Sequence, residues 1–429
     1  MDDKNRAGLG RPSFGYWLGQ LLELPSAAYH YALGKFEALT ASQAMLAEAV
    51  PLELPAAAAA RLTAAWSKLE ASADPADAPD WSVQEQATIE RIRAETAACN
   101  RNNVTRTEAY RSVYFRTPEL HWSLLAHMVS RNGGWNMTDL QGELLPRLLL
   151  TGQREAVFLF LEQANAFIFH DAYPQLRLYE WSLREGRSLF HLLPAFGVSR
   201  FMLPVWKQFW RDRNPVPLTV ALIVNEQNFI ERRIVQHPFY SEAVLHTLFF
   251  GLQSVLQLNG VLFPYGRQES AKDGATLKLS GLILERFEHL KERIEFGKRL
   301  YALLFGIPRV REGARRFAGA VKHTGSRADY APHLFARTLC GPPETEYAER
   351  LLGGRLRQGA KPLYSPELGA AWSDRPLVPP ERGDWFRLAS DVAPYFQKLP
   401  LPHMFEISHE YGFMLNKLEL AVLAAQRES

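Results

Sequence analysis

Ser130-Arg131-Asn132-Gly133-Gly134-Trp135-Asn136 sets a guanidinium, two carboxamides and an indole around two glycines, with Asp139 close behind. A Gly-Gly pair permits positive φ and close backbone approach. Thr138 and Gln141 have the spacing of a capping box that would start a helix at 138. The expected result is a tight loop that gathers Arg131, Asn132, Trp135, Asn136 and Asp139 beside a helix N-terminus. Such a terminus holds anions through free N–H groups and the helix macrodipole. The bland alternative is that these groups satisfy one another, as Asn and Asp do in turns.

A second polar line lies in VALIVNEQNFIERRIV at 220–235, where Asn225, Asn228 and Arg232 share one helical face and Glu226 lies at another angle. Buried polar groups without partners cost about 1–3 kcal/mol each, so this line needs partners. The Arg131–Asp139 loop, or a ligand held between the two, would supply them. On that geometry His127, Glu226, Glu231 and His323 are the candidate general acids or bases.

A third feature is charge. From Lys291 to Arg327 there are ten Lys or Arg against three Glu, an excess of +7 in a chain whose net charge is only +3. Within it, Lys322-His323-Thr324-Gly325-Ser326-Arg327 has the ingredients of an anion-binding turn. It lacks the spacing and the preceding strand of a P-loop. A basic run is ordinarily a solvated face, and nucleic acid would also want interleaved aromatic side chains, for which only Phe317 and Tyr330 qualify. His323, Ser326 and Asp329 are close in sequence, which does not make a triad. Glu406 and His409 have Glu-x-x-His spacing with no second pair to complete a di-metal site. His121 and His127 fall on different helix faces. Neither a metal nor a cofactor is expected.

The elements that must position these groups read as helices. Helical periodicity recurs near 83–100, 105–116, 118–130, 138–150, 153–170, 199–212, 218–235, 239–257, 277–305 and 309–322, with an Ala-rich helix at 55–71 and a closing helix from about 403 to 425. Strand and hairpin signals are scarce. Thr105 with Glu108 reads as a capping box, and Thr117-Pro118 as a helix restart. The fold class expected is therefore all-α, an irregular multi-helix bundle with a loop-rich C-terminal segment. Residues 1–80 form an N-terminal helical extension and linker, 81–340 the main helical domain, and 341–429 a wrap and closing helix, the wrap held by Tyr364, Trp372 and Trp385. Cys99 and Cys340 are too few for a disulfide framework and suit a reducing cytoplasm. Residues 12–34 carry one charged side chain, Glu23, but Pro25 and the interspersed glycines argue for an aromatic arm on the core and against a transmembrane segment.

The run NNVTRTEAYRSVYFRTPELHWSLLAHMVSRNGGWNMTDLQG, with NEQNFIERRIVQHPF at 225–239 and FGKRLYALLF at 296–305, resembles the YppC-like proteins of Firmicutes, a family built on a domain of unknown function. The resemblance covers roughly residues 100–335. It implies a bacterial intracellular protein and carries no reaction with it. The expectation is an intracellular helical protein that binds a small polar or anionic ligand between the 131–139 loop and the 225–233 helix, around Arg131, Asn132, Trp135, Asn136, Asp139, Asn225, Glu226, Asn228, Arg232, His323, Ser326 and Arg327. The alternatives are an enzyme working on such a ligand by acid–base chemistry, and nucleic-acid binding through 291–327.

Overall fold

The computed structural model describes residues 32–70, 81–240, 260–270, 274–284, 286–341, 346–381 and 383–428. The expected aromatic arm, the 71–80 linker and most of the expected 239–257 helix lie outside the described residues. The fold is all-α. Its helices are α1 (32–46), α2 (Ala56–Glu70), α3 (Val83–Cys99), α4 (Asn103–Arg116), α5 (His121–Asp139), α6 (Thr151–Glu185), α7 (Met202–Asp212), α8 (Pro215–Ile230), α9 (Leu290–Gly306), α10 (Pro308–Ala320) and α11 (Ser408–Glu428).

Local chemistry accounts for most boundaries. Ser82 and Glu85 form a reciprocal capping box on α3. The box of α4 lies one turn before the one read from the sequence, with Asn102 and Thr105 as its members. Thr117 closes α4, and α5 begins only at His121. Helix α6 runs for 35 residues through Pro174 to a left-handed Gly186, well past the expected stop at 170. An interior proline costs about 3 kcal/mol, and the near-continuous burial from Asp171 to Tyr179 outweighs it. In α8 every residue from Val216 to Asn225 is buried, so it is the central helix, packed by α5, α6, α7 and α9. Trp66, Trp122, Trp135 and Trp206 are fully buried, which is where much of the aromatic content goes.

Three expectations change. The 130–136 loop is helix: α5 runs unbroken through Gly133 and Gly134, neither of which has positive φ. The expected helix at 138–150 is a set of turns with one 3-10 turn at Leu145–Arg147. The expected helix at 277–305 is split, because its start is a strand. Strand β1 (Gly260–Ser270) pairs antiparallel with β2 (Gly274–Ile283), in the register Gly260↔Ile283 and Phe263↔Ser280. The alternation of Thr276, Leu277, Lys278, Leu279 and Ser280 is the period-2 signal that the neighbouring helical pattern masked. Helix α10 lies on this hairpin at Gly313, where a Cβ would stand 2.6 Å from the Cβ of Tyr265.

The C-terminal segment is loop-rich and packs on the helices through two tryptophans. Trp372 stacks on Phe158 at 4.2 Å and donates to Met137 O at 2.8 Å. Trp385 packs on Phe201 and donates to Asn225 Oδ1 at 2.9 Å. Farther on, Ile407 N bonds Leu279 O, so the wrap also extends the hairpin edge.

Candidate functional site

The buried stripe of α4 changes character along its length. Tyr110, Val113 and Tyr114 are apolar core, whereas Asn103, Arg106 and Thr107 at the N-terminal end bring polar groups into the same interior. Each has partners. Asn103 Nδ2 donates to Ser130 O at 2.9 Å, and Ser130 Oγ lies 2.6 Å from Thr107 Oγ1. His127 Nδ1 is 2.9 Å from Thr107 O, and His323 Nε2 is 2.9 Å from Asn103 Oδ1. Because the Asn103 amide nitrogen faces Ser130, its oxygen faces His323, so Nε2 of His323 carries the proton. The other ring nitrogen, Nδ1, stands 3.6 Å from Asp329 Oδ2 and makes no hydrogen bond.

Gly134 makes this assembly fit. A Cβ there would meet Asn103 Oδ1 at 2.4 Å and His323 Nε2 at 2.6 Å. The Gly-Gly pair thus opens a polar slot along a helix instead of a turn. Burial draws the His323 imidazole down to about 4, against the pull of Asp329. Burial alone would raise Asp329, but the N–H and hydroxyl of Thr324 hold it at about 2. At neutral pH the pair is a neutral imidazole beside a carboxylate.

His323 lines a cleft of about 210 Å³ with Asn102, Thr105, Glu162, Thr324 and Trp372. Its rim carries Arg101, Lys322 and Arg375 against Glu367 and Asp374. Glu162 faces Arg106 Nη2 at 2.5 Å, with side chains only 5% and 1% exposed. One wall is therefore the start of α4, another is α6, and the third is supplied by residues 367–375 of the wrap, tied to Thr324 O through Leu368 N.

Of the residues expected to form the site, the 131–139 group meets the 321–329 turn. Arg131 is fully buried, donates to Val321 O and stacks over Phe317 at 4.4 Å. Its Nε and Nη1 make no hydrogen bond, and burial lowers it to about 10. Asn132 clasps Leu262 of β1, donating to its carbonyl and accepting from its N–H, both at 2.9 Å. Trp135 plugs the core beside Tyr330 at 4.4 Å. Arg327 reaches Asp139 at 2.6 Å and Asn136 at 3.0 Å. Ser326 caps the turn and donates to Ser365 O.

The Asn225 line is elsewhere, and this corrects the expected pocket. Among the described residues no hydrogen bond or ion pair joins Asn225, Glu226, Asn228 or Arg232 to the 131–139 group. Asn225 donates to Asp171, Asn228 bonds its own helix at Val224 O, and Arg232 is exposed. Glu226 accepts from Trp122 Nε1 at 3.2 Å, and Glu231 is occupied by Arg293. The Asp171 cluster is closed by Gln175, Trp206 and Trp385, all neutral. Burial drives Asp171 up to about 7 and Glu226 up to about 8. Asp171 is the more enclosed of the two, since Glu226 keeps part of its surface.

The basic run is also divided. Arg293, Lys298 and Arg327 are buried, with Glu231, Glu295 and Asp139 as partners, and Arg309 pairs with Glu48. Phe317 and Tyr330 are buried too, so neither offers a stacking surface.

The sequence reading missed Asn102, Asn103, Arg106 and Glu162. The available signal was a lone charge inside an apolar run: Glu162 within VFLFLEQANAFIF must have a partner if that helix is buried.

Comparison with known proteins gives the lineage and no chemistry. The chain is 45% identical over 250 residues to "Uncharacterized protein YppC" of Bacillus subtilis (strain 168), covering 57% of this chain and 75% of that protein. No solved structure matches it. The family described as "Protein of unknown function (DUF2515)" matches residues 98–411, which span both α4 and the wrap segment that close the cleft. This protein belongs to the DUF2515 family.

Proposed function

We propose that this is a helical binding protein of the cytoplasm whose cleft at the start of α4 takes a small polar or anionic ligand. One observation carries the reading: a hollow of about 210 Å³ has a buried histidine, His323, in its lining and three cations, Arg101, Lys322 and Arg375, at its rim. Preformed concave sites with a few convergent polar groups are where small ligands bind. The free thiols of Cys99 and Cys340 support the reducing compartment, and no described helix is long and apolar enough to cross a membrane.

The test is a thermal-shift screen with metabolites and nucleotides, together with mass spectrometry of co-purified compounds. Lys322 and Arg375 are exposed, so K322A/R375A leaves the ligand-free melting temperature unchanged and abolishes the shift given by any hit. A hit whose shift survives that double substitution binds elsewhere and removes this cleft from consideration.

A second reading is acid–base chemistry in the same cleft, favoured by the neutral His323 imidazole backed by Asp329. It requires His323→Gln to keep ligand binding and lose turnover of whatever hit the screen provides. Unchanged turnover removes it.

A further inference from the structure

The rim of the cleft already holds an anion, and that anion belongs to the chain. Asn102 Nδ2 donates to Asp374 Oδ1 at 2.7 Å, and Arg101 Nε lies 3.1 Å from Asp374 Oδ2. One planar carboxylate thus takes both donors, one oxygen to each. Asp374 comes from the stretch after Trp372, which has no helix or strand from 373 to 381 and is exposed at Ser373, Asp374, Arg375 and Pro376. Both members of the ion pair are open to water, with side chains 65% and 47% exposed, and such a pair is weak.

Two further observations say that the seat is built for more than Asp374. Lys322 and Arg375 line the same cleft and have no acidic partner among the described residues, which leaves positive charge that Asp374 does not neutralise. Arg101, Asp374 and Arg375 moreover stand between this cleft and an open groove of about 630 Å³ bordered by Ala97, Ala98, Pro376 and Leu377.

We propose that the Arg101–Asn102 seat is the carboxylate subsite of the cleft, and that Asp374 is an internal stand-in which the carboxylate of an incoming ligand displaces. This rests on the ligand-binding reading and adds to it the ligand's chemical class and a built-in competitor. A site occupied part of the time by its own chain binds a ligand more weakly in proportion to the occupied fraction. For an exposed ion pair that amounts to about fivefold.

The test uses the full chain and acetate as the probe, at constant ionic strength set with chloride. Binding is read by transverse-relaxation-optimised NMR at the Asn102 side-chain amide and the Arg101 Nε–H. Expected is a dissociation constant about fivefold lower in Asp374→Ala than in wild type, with that gain lost in D374A/R101Q. Asp374→Asn, which keeps the shape and drops the charge, falls between, and it stands in for the alanine variant should that one misfold. Equal affinity in wild type and D374A overturns the competitor while leaving the ligand-binding reading intact. Inorganic phosphate binding tighter than acetate at these signals overturns the carboxylate class. No response at Asn102 to either anion in D374A overturns the subsite. The wider reading falls only with the thermal-shift screen and the K322A/R375A result.

Discussion

Glu162 and Asp171 are acids of the same helix, both buried, and they differ in what faces them. Glu162 meets the Arg106 guanidinium, while Asp171 meets the amides of Gln175 and Asn225. Burial raises the cost of a carboxylate in both places. Where a cation is supplied the carboxylate has an ion-pair partner, and where the direct partners are neutral amides burial pushes the carboxyl up to about 7. The first arrangement lies on the wall of an open cleft, the second in a sealed centre lined by Trp206 and Trp385. Polarity in this helical core therefore comes in two kinds. One is an ion pair beside a cleft, and the other is a carboxyl closed in by neutral hydrogen-bond donors.

That contrast can be broken most directly at the charged end. Glu162→Ala strands a buried guanidinium and is expected to cost about 3–5 kcal/mol in chemical denaturation. Replacing both partners, as in R106M/E162L, returns most of it. A loss below about 1 kcal/mol for the single change means the pair is not desolvated as described. Next in size is Gly134→Ala, whose methyl has nowhere to go but the Asn103–His323 contact. The expected loss is about 1–3 kcal/mol, with perturbed His323 ring signals as the local readout.

The sealed end is addressed by pH. Asp171 and Glu226 hold protons to about 7 and about 8, whereas an unfolded carboxyl loses its proton near 4. Between these limits the folded state binds more protons, so their contribution to stability falls as pH rises, by up to about 1.4 kcal/mol per pH unit for each group. His323, drawn down to about 4, acts in the opposite sense, because its contribution is lost as pH falls from the ordinary imidazole range toward 4. His121 does the same. The two opposing pairs largely cancel between about pH 4.5 and 6.5, and wild type weakens from there toward pH 8. Glu226→Gln flattens the alkaline side of that curve up to about pH 8, and Asp171→Asn flattens only its beginning, up to about pH 7. Thermal melts from pH 4 to pH 9 decide this, and an alkaline slope untouched in D171N would place the raised proton elsewhere.

Much of the architecture was legible in the sequence. Periodicity marks α2, α3, α7 and α10 to within a few residues, because each buries one face in the ordinary way, and α8 is marked by its continuous apolar run. The failures share a cause. At 130–136 the residues carry turn chemistry, yet Arg131 needs to reach Val321, and the glycines remove Cβ atoms where Asn103 and His323 pass. Tertiary demand overrides local preference there. At 274–283 a strand is read as helix because the next segment is strongly helical and its hairpin partner lies upstream. The candidate cleft was half legible. His323 and its turn were singled out, but α4 and the wrap arrive there from distant sequence, and no spacing rule reports that.

The reach of that closure has a kinetic consequence. Asn102 and Asp374 are 272 positions apart, and Trp372 must find Phe158 before the third wall stands. Contacts at such separation form late, after the loop entropy they span has been met by the helices in between. On a ribosome the first two walls emerge and fold while the last is still unmade. The cleft is therefore completed only at the final docking step, and a chain stalled in that step is folded over most of its length with one wall of the cleft missing.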